Sequence, residues 1–368
     1  MNFKLSKKEL LNSLQKINRV IPTRSTLPIL SCVLFEIKKN KLSLRATDLE
    51  QTILINIDIN SAEESKLAIP VKTLLEITQE IPDENLNIII NNDNKVQIQT
   101  DFGNYSIMGK SANEFPEIPN VENPVIINMD KNELNDIIQD TLYAASKDEM
   151  KISLQGVCLN VKNTEVTAVA TDGFRLVKRI SNTKEENSFS GQVIIPSKFL
   201  TILQPHLTND DLKLVLCTNH IQIENGNTVL VSRIIREKYP DYESIIPSDN
   251  DKIAVINKDD LFSAVKRVSI FSNRTTRQIA LTFENNKVVV TTEDPENITS
   301  GHEEIICDYK EEAITIGFNA NYLKEMLNHQ STEDVYIKLK SSLGAGMIIP
   351  KEETSDKEIL SLLMPIRI

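Results

Sequence analysis

A threefold internal repeat constrains this chain more than any other feature. "RATDLE" ends at Glu50, "ATDGFRL" spans 170–176 and "TTEDPE" spans 291–296. Their aspartates, Asp48, Asp172 and Asp294, stand 124 and 122 residues apart. Each closes a segment of alternating apolar and polar residues broken by a short polar turn: "FEIKKNKLSLRATD", "LNVKNTEVTAVATD" and "LTFENNKVVVTTED". That period of two predicts strand–turn–strand. Helix-like stretches keep the same register: "SKKELLNSLQKI" from Ser6, "DKNELNDIIQDTL" from Asp130 and "NKDDLFSAVKRV" from Asn257. Each opens on an N-cap residue with an acid three positions on (Ser6/Glu9, Asp130/Glu133, Asn257/Asp260), the capping-box arrangement. A second short helix recurs as "IPVKTLLEI", "IPSKFLTIL" and "FNANYLKEML", with Leu74, Leu200 and Leu323 in register. Three markers on one period define three copies of an α+β module. The expected domains are 1–122, 123–250 and 251–368. The Pro-rich stretches "FPEIPNVENP" (115–124) and "YPDYESIIPSD" (239–249) fall at the junctions.

Modules joined head to tail by a fixed rotation either close into a ring or run on as a filament, and the repeat alone leaves both open. Closure removes exposed sheet edges. The net charge of −11 argues against a chain that coats itself with nucleic acid, though not against one basic face. Cations do gather on helices: Lys7, Lys8, Lys16 and Arg19, then Lys266 and Arg267, with Lys72, Lys198 and Lys324 on the second helices. The first helix of the middle module is acidic instead. A solvated helix face and a DNA-binding surface both fit this pattern.

The remaining classes are narrowed by what the chain lacks. Its four cysteines and four histidines are scattered, without C-x-x-C or H-x-x-x-H spacing, so no metal or redox site is expected. No phosphate-binding, dinucleotide-binding or nucleophile-elbow motif is present, and no catalytic residue or cofactor is expected. Asp172 and Arg175 could pair as an acid and an anion clamp. Because that aspartate recurs at Asp48 and Asp294, a turn-capping carboxylate is the reading taken. The N-terminus has no signal-peptide pattern and no apolar run approaches a membrane span, which predicts a cytoplasmic protein without membrane contact.

Five dispersed stretches, "TLPIL" (26–30), "ATDLE" (46–50), "ATDGFRL" (170–176), "YPDY" (239–242) and "LLMPIRI" (362–368), resemble the bacterial sliding clamps, the beta subunit of DNA polymerase III, over the full length. The resemblance implies a head-to-tail dimer forming a six-module ring, with helices lining the inside and antiparallel sheets outside. Such a ring encircles duplex DNA without sequence preference and confers processivity on the polymerase, at the nucleoid-associated replisome. A protein-interaction scaffold that never encircles DNA is the alternative. Implied partners are the polymerase III alpha subunit, the clamp loader, and other polymerases and repair proteins that dock through short linear motifs.

Their pocket maps to Leu154, Thr171, Gly173, Phe174, Arg175, Leu176, Pro240, Ile245, Asn319, Tyr322, Leu362, Met364, Pro365, Ile366, Arg367 and Ile368. Apolar walls there would bury a partner's anchors while Arg175 holds its backbone. Arg24, Lys72, Lys147, Lys151 and Lys198 are the implied DNA-facing residues. Tyr105 and Ile107 would meet Ile270 and Phe271 across the dimer. This chain departs from the resemblance at Phe174, where His is frequent, and at Glu243 and Ser244, where two basic residues are common.

Overall fold

The computed structural model describes residues 2–61, 63–82, 85–91, 93–118, 122–183, 185–352 and 357–368. Residues 119–121 of the first Pro-rich junction lie outside them. The chain divides into two compact units, Met1–Lys131 with Lys198–Ile234, and Asn132–Ser197 with Ile235–Ile368.

The first unit holds a four-stranded sheet in the order Asn2–Ser6, Asn85–Ile90, Lys95–Gln99, Asn104–Met108. It also holds a nine-stranded sheet. Val125–Ile127, Leu212–Leu216, His220–Asn225 and Thr228–Arg233 run on into Gln51–Asp58, Lys41–Thr47, Cys32–Lys38, Ser65–Pro70 and Lys110–Ser111. Helices α1 (Lys7–Ile17) and α2 (Val71–Glu80) bury Leu10, Leu14, Ile17 and Leu74, the i, i+3/i+4 stripe that the pattern predicts.

In the second unit an eight-stranded sheet runs Gly191–Pro196, Gly156–Lys162, Glu165–Thr171, Arg175–Asn182, Lys357–Leu363, Gly346–Pro350, Asp334–Leu339, Lys252–Asn257. A four-stranded sheet runs Thr299–Ile306, Lys287–Asp294, Gln278–Glu284, Ile314–Asn319. Helix α3 (Lys131–Thr141) begins at the unit boundary, α4 (Ser197–Leu203) spans it, and α5 (Lys258–Val268) and α6 (Ala320–Asn328) lie wholly in the second unit. There Leu261, Val265, Leu323 and Met326 pack with Leu281, Phe283, Ile316 and Ile337 in one core.

Among the described residues the repeat is visible in three hairpins and six α-helices, though the caps differ. Asn257 accepts from the amides of Asp259 and Asp260, as a capping residue should, whereas the Ser6 side chain makes no capping bond. The four cysteines are free and buried. No helix among the described residues is long and apolar enough to cross a membrane, and no His/Cys/Asp/Glu cluster among them could hold a metal ion.

Candidate functional site

All three repeat aspartates cap turns. Asp48 Oδ1 accepts from Glu50 N and Gln51 N, Asp172 Oδ1 from Phe174 N (2.9 Å) and Arg175 N (3.1 Å), and Asp294 Oδ1 from Glu296 N. In the middle copy the Thr171 hydroxyl donates to Arg175 O (2.6 Å) and accepts from Gly173 N. Gly173 sits at φ +94°, where a side chain is strained, so a glycine suits this turn. The turn leaves Phe174 56% exposed and sends Arg175 inward, 5% exposed.

Arg175 is occupied on every side. Its Nε donates to Asp172 Oδ2 (3.1 Å), Nη1 to Glu325 Oε2 (2.7 Å) and Nη2 to Tyr143 O (2.6 Å). The guanidinium also lies 4.7 Å from the Tyr322 ring centroid and 5.2 Å from that of Tyr143, which stacks on His329. The expected grip of Arg175 on a partner backbone is therefore corrected: a guanidinium spent on Asp172, Glu325 and Tyr143 props the turn from beneath. Burial pushes the Tyr143 and Tyr322 hydroxyls up and the His329 imidazole down, which leaves all three neutral near pH 7.

The chain terminus completes the site. Lys357–Leu363 pairs with Arg175–Asn182, setting Leu362 opposite Leu176, both buried. Beyond the strand, Met364 N donates to Phe174 O (2.9 Å) and Ile366 N to Gly317 O (2.8 Å). A Cβ on Gly317 would lie 2.5 Å from Ile366 O, so the glycine is what admits the tail. Thr171, Leu176 and Leu362 are buried, whereas Phe174, Ile245, Met364 and Ile368 are exposed. Leu154, Tyr322, Pro365 and Ile366 are half-buried, and Pro240 and Arg367 are exposed. Asn319 has a local task, capping α6 through Asn321 N and Tyr322 N.

Lys151, expected to face DNA, is instead held at this site. Its Nζ donates to Asp172 O (3.0 Å) and lies 5.3 Å from the Phe174 ring centroid. Arg24, Lys72 and Lys147 are exposed, and the exposed Lys198 is ion-paired with Asp48. Of the four residues expected at a dimer contact, Ile270 (74%) and Phe271 (44%) are open, Tyr105 is half-buried, and Ile107 is buried within its own unit. Tyr143, Glu325 and Lys178 escaped the sequence reading, because none belongs to a local motif.

The first unit repeats this junction's backbone bonds with different side chains. Arg233 N donates to Glu50 O (3.0 Å) as Met364 N does to Phe174 O, and the Thr47 hydroxyl donates to Gln51 O. In place of Gly173, Phe174 and Arg175 stand Leu49, Glu50 and Gln51.

The fold is thus one of repeated α+β modules in which a buried strand seam carries exposed apolar residues, and comparison with known proteins says which such class it is. Models of the DNA polymerase III beta subunit match residues 1–119 (N-terminal domain), 128–241 (central domain) and 243–367 (C-terminal domain). The beta sliding clamp of Pseudomonas putida is 29% identical, with both chains covered completely. A crystal structure of the Pseudomonas aeruginosa DNA polymerase sliding clamp superposes with TM-score 0.93 at 28% identity, again over all of both chains. A griselimycin-bound clamp from the same organism gives 0.92 at 28% identity, with both chains fully covered. The chain belongs to the DNA polymerase III beta-subunit family, the sliding clamps. Members are non-catalytic processivity factors, so this chain is not an enzyme.

Proposed function

We propose that two copies of the chain close head to tail into a ring of six modules (1–122, 123–250 and 251–368 in each), which encircles duplex DNA in the cytoplasm and tethers a polymerase there. The match of three successive clamp modules over nearly the whole chain carries this reading. Two further features support it. The strand Asn104–Met108 ends one sheet and Thr299–Ile306 ends another, leaving an edge for pairing in each unit, with Ile270 and Phe271 exposed. Exposed Arg24, Lys72 and Lys147 offer weak, sequence-blind phosphate contacts that permit sliding, while retention is topological.

The wall of Phe174, Ile245, Met364 and Ile368 over Leu176 and Leu362 is the docking pocket for short linear segments of polymerases, the clamp loader and repair proteins. A clamp from Pseudomonas aeruginosa has been crystallised bound to griselimycin, which supports a ligand-accepting site on this fold. Loading the protein onto nicked circular DNA and then linearising it tests the ring. Retention on circles and loss from linear ends is expected; equal retention on both supports a non-encircling scaffold.

A further inference from the structure

We propose that Glu243 makes the far rim of the pocket a receptor for a basic residue flanking the partner's apolar anchors. This rests on the pocket reading above. Leu176 and Lys178 project from one face of the strand Arg175–Asn182, and Phe174 precedes that strand. From Phe174 to Lys178 is four residues, roughly 13 Å of extended chain. At the Phe174 end the charges offset one another: Lys151 Nζ lies over the Phe174 ring and bonds to Asp172 O, while Arg175 pairs with the Asp172 and Glu325 carboxylates. Arg175 adds little, being buried among its own partners.

The other end is anionic. Tyr242 is buried and anchors the segment beside it, leaving Pro240, Asp241, Glu243, Ser244 and Ile245 exposed. Glu243 bonds to Lys178 Nζ at 2.7 Å, but the two are unequal: the Glu243 side chain is 58% exposed and that of Lys178 17%. Lys178 is also tucked 6.0 Å from the Tyr242 ring centroid. An arriving ligand therefore meets carboxylate oxygens of Asp241 and Glu243 beside the apolar Pro240 and Ile245. A lysine or arginine there gains a carboxylate partner with little rearrangement, whereas an aspartate meets like charge.

Fluorescence anisotropy with labelled peptides tests this. Each carries one fixed apolar core, with Lys-Lys, Ser-Ser or Asp-Asp placed on one side or the other. On one side, the Lys-flanked peptide should bind about five- to tenfold tighter than the Asp-flanked one at low salt. The gap should shrink in 0.5 M NaCl, roughly vanish in Glu243→Gln and reverse in Glu243→Lys. Binding of the Ser-flanked peptide reports the pocket itself. If that peptide does not bind, both the pocket and this proposal fall. If it binds while flank charge is without effect, or the preference survives in Glu243→Lys, the proposal alone is overturned.

Discussion

Beneath the turn at 171–176, Arg175 joins two carboxylates, a carbonyl and two aromatic rings. Arg175→Ala should lower stability by about 3 kcal/mol in urea unfolding, because it strands the mostly buried Asp172 and opens a gap between Tyr143 and Tyr322. Arg175→Lys should not restore it, since an ammonium lacks the planar fork. The turn was legible in the sequence because Thr and Asp supply its capping bonds and Gly takes its positive φ most easily. The inward course of Arg175 was not, because its partners Tyr143 and Glu325 lie 32 and 150 residues away.

His206 was equally hidden: its ring is buried, and neither nitrogen has a hydrogen-bond partner. Burial, reinforced by Lys16 and Arg19, pushes its pKa down to about 4. The folded state thus binds fewer protons than the unfolded state between about pH 6.5 and 4, and stability falls as pH falls through that window. The loss should approach about 3 kcal/mol, and His206→Leu should flatten the pH dependence of the urea midpoint over the same range.

Among the elements, helices and hairpins followed directly from periodicity, which depends on local pattern alone. The acidity of α3 is offset by neighbouring cations. Asp140 and Asp136 are tied to Arg179, itself 2% exposed, and Asp136 also to Lys357, so the helix carries much of its own neutralisation from neighbouring strands. The terminal segment is held by two backbone bonds that its sequence could not reveal. Gly317→Ala should push Ile366 aside and weaken peptide binding roughly tenfold, at a cost of about 1–3 kcal/mol in stability. Titration of a labelled peptide beside a thermal melt checks both, and unchanged affinity would show that the tail does not shape the wall.

For the whole molecule, replacing Ile270 and Phe271 by Ala should turn dimers into monomers in sedimentation at micromolar protein, with little change in melting, because both side chains are open in the single chain. A dimer persisting at nanomolar concentration would place the contact elsewhere. Peptide affinity should be unaffected, since every residue of the docking wall comes from a single chain and neither Ile270 nor Phe271 is among them.

The pairing of Thr228–Arg233 with Gln51–Asp58, and of Lys357–Leu363 with Arg175–Asn182, has a consequence for how the chain can be cut. The middle repeat lends one group of its strands to each neighbour's sheet, so sequence copies and cooperative blocks are out of phase. A fragment ending at residue 122 would strip Gln51–Asp58 of Thr228–Arg233 on one side, leaving a bare edge as a template for aggregation. Evolution multiplied the module, but what must survive intact in any truncation is the seam.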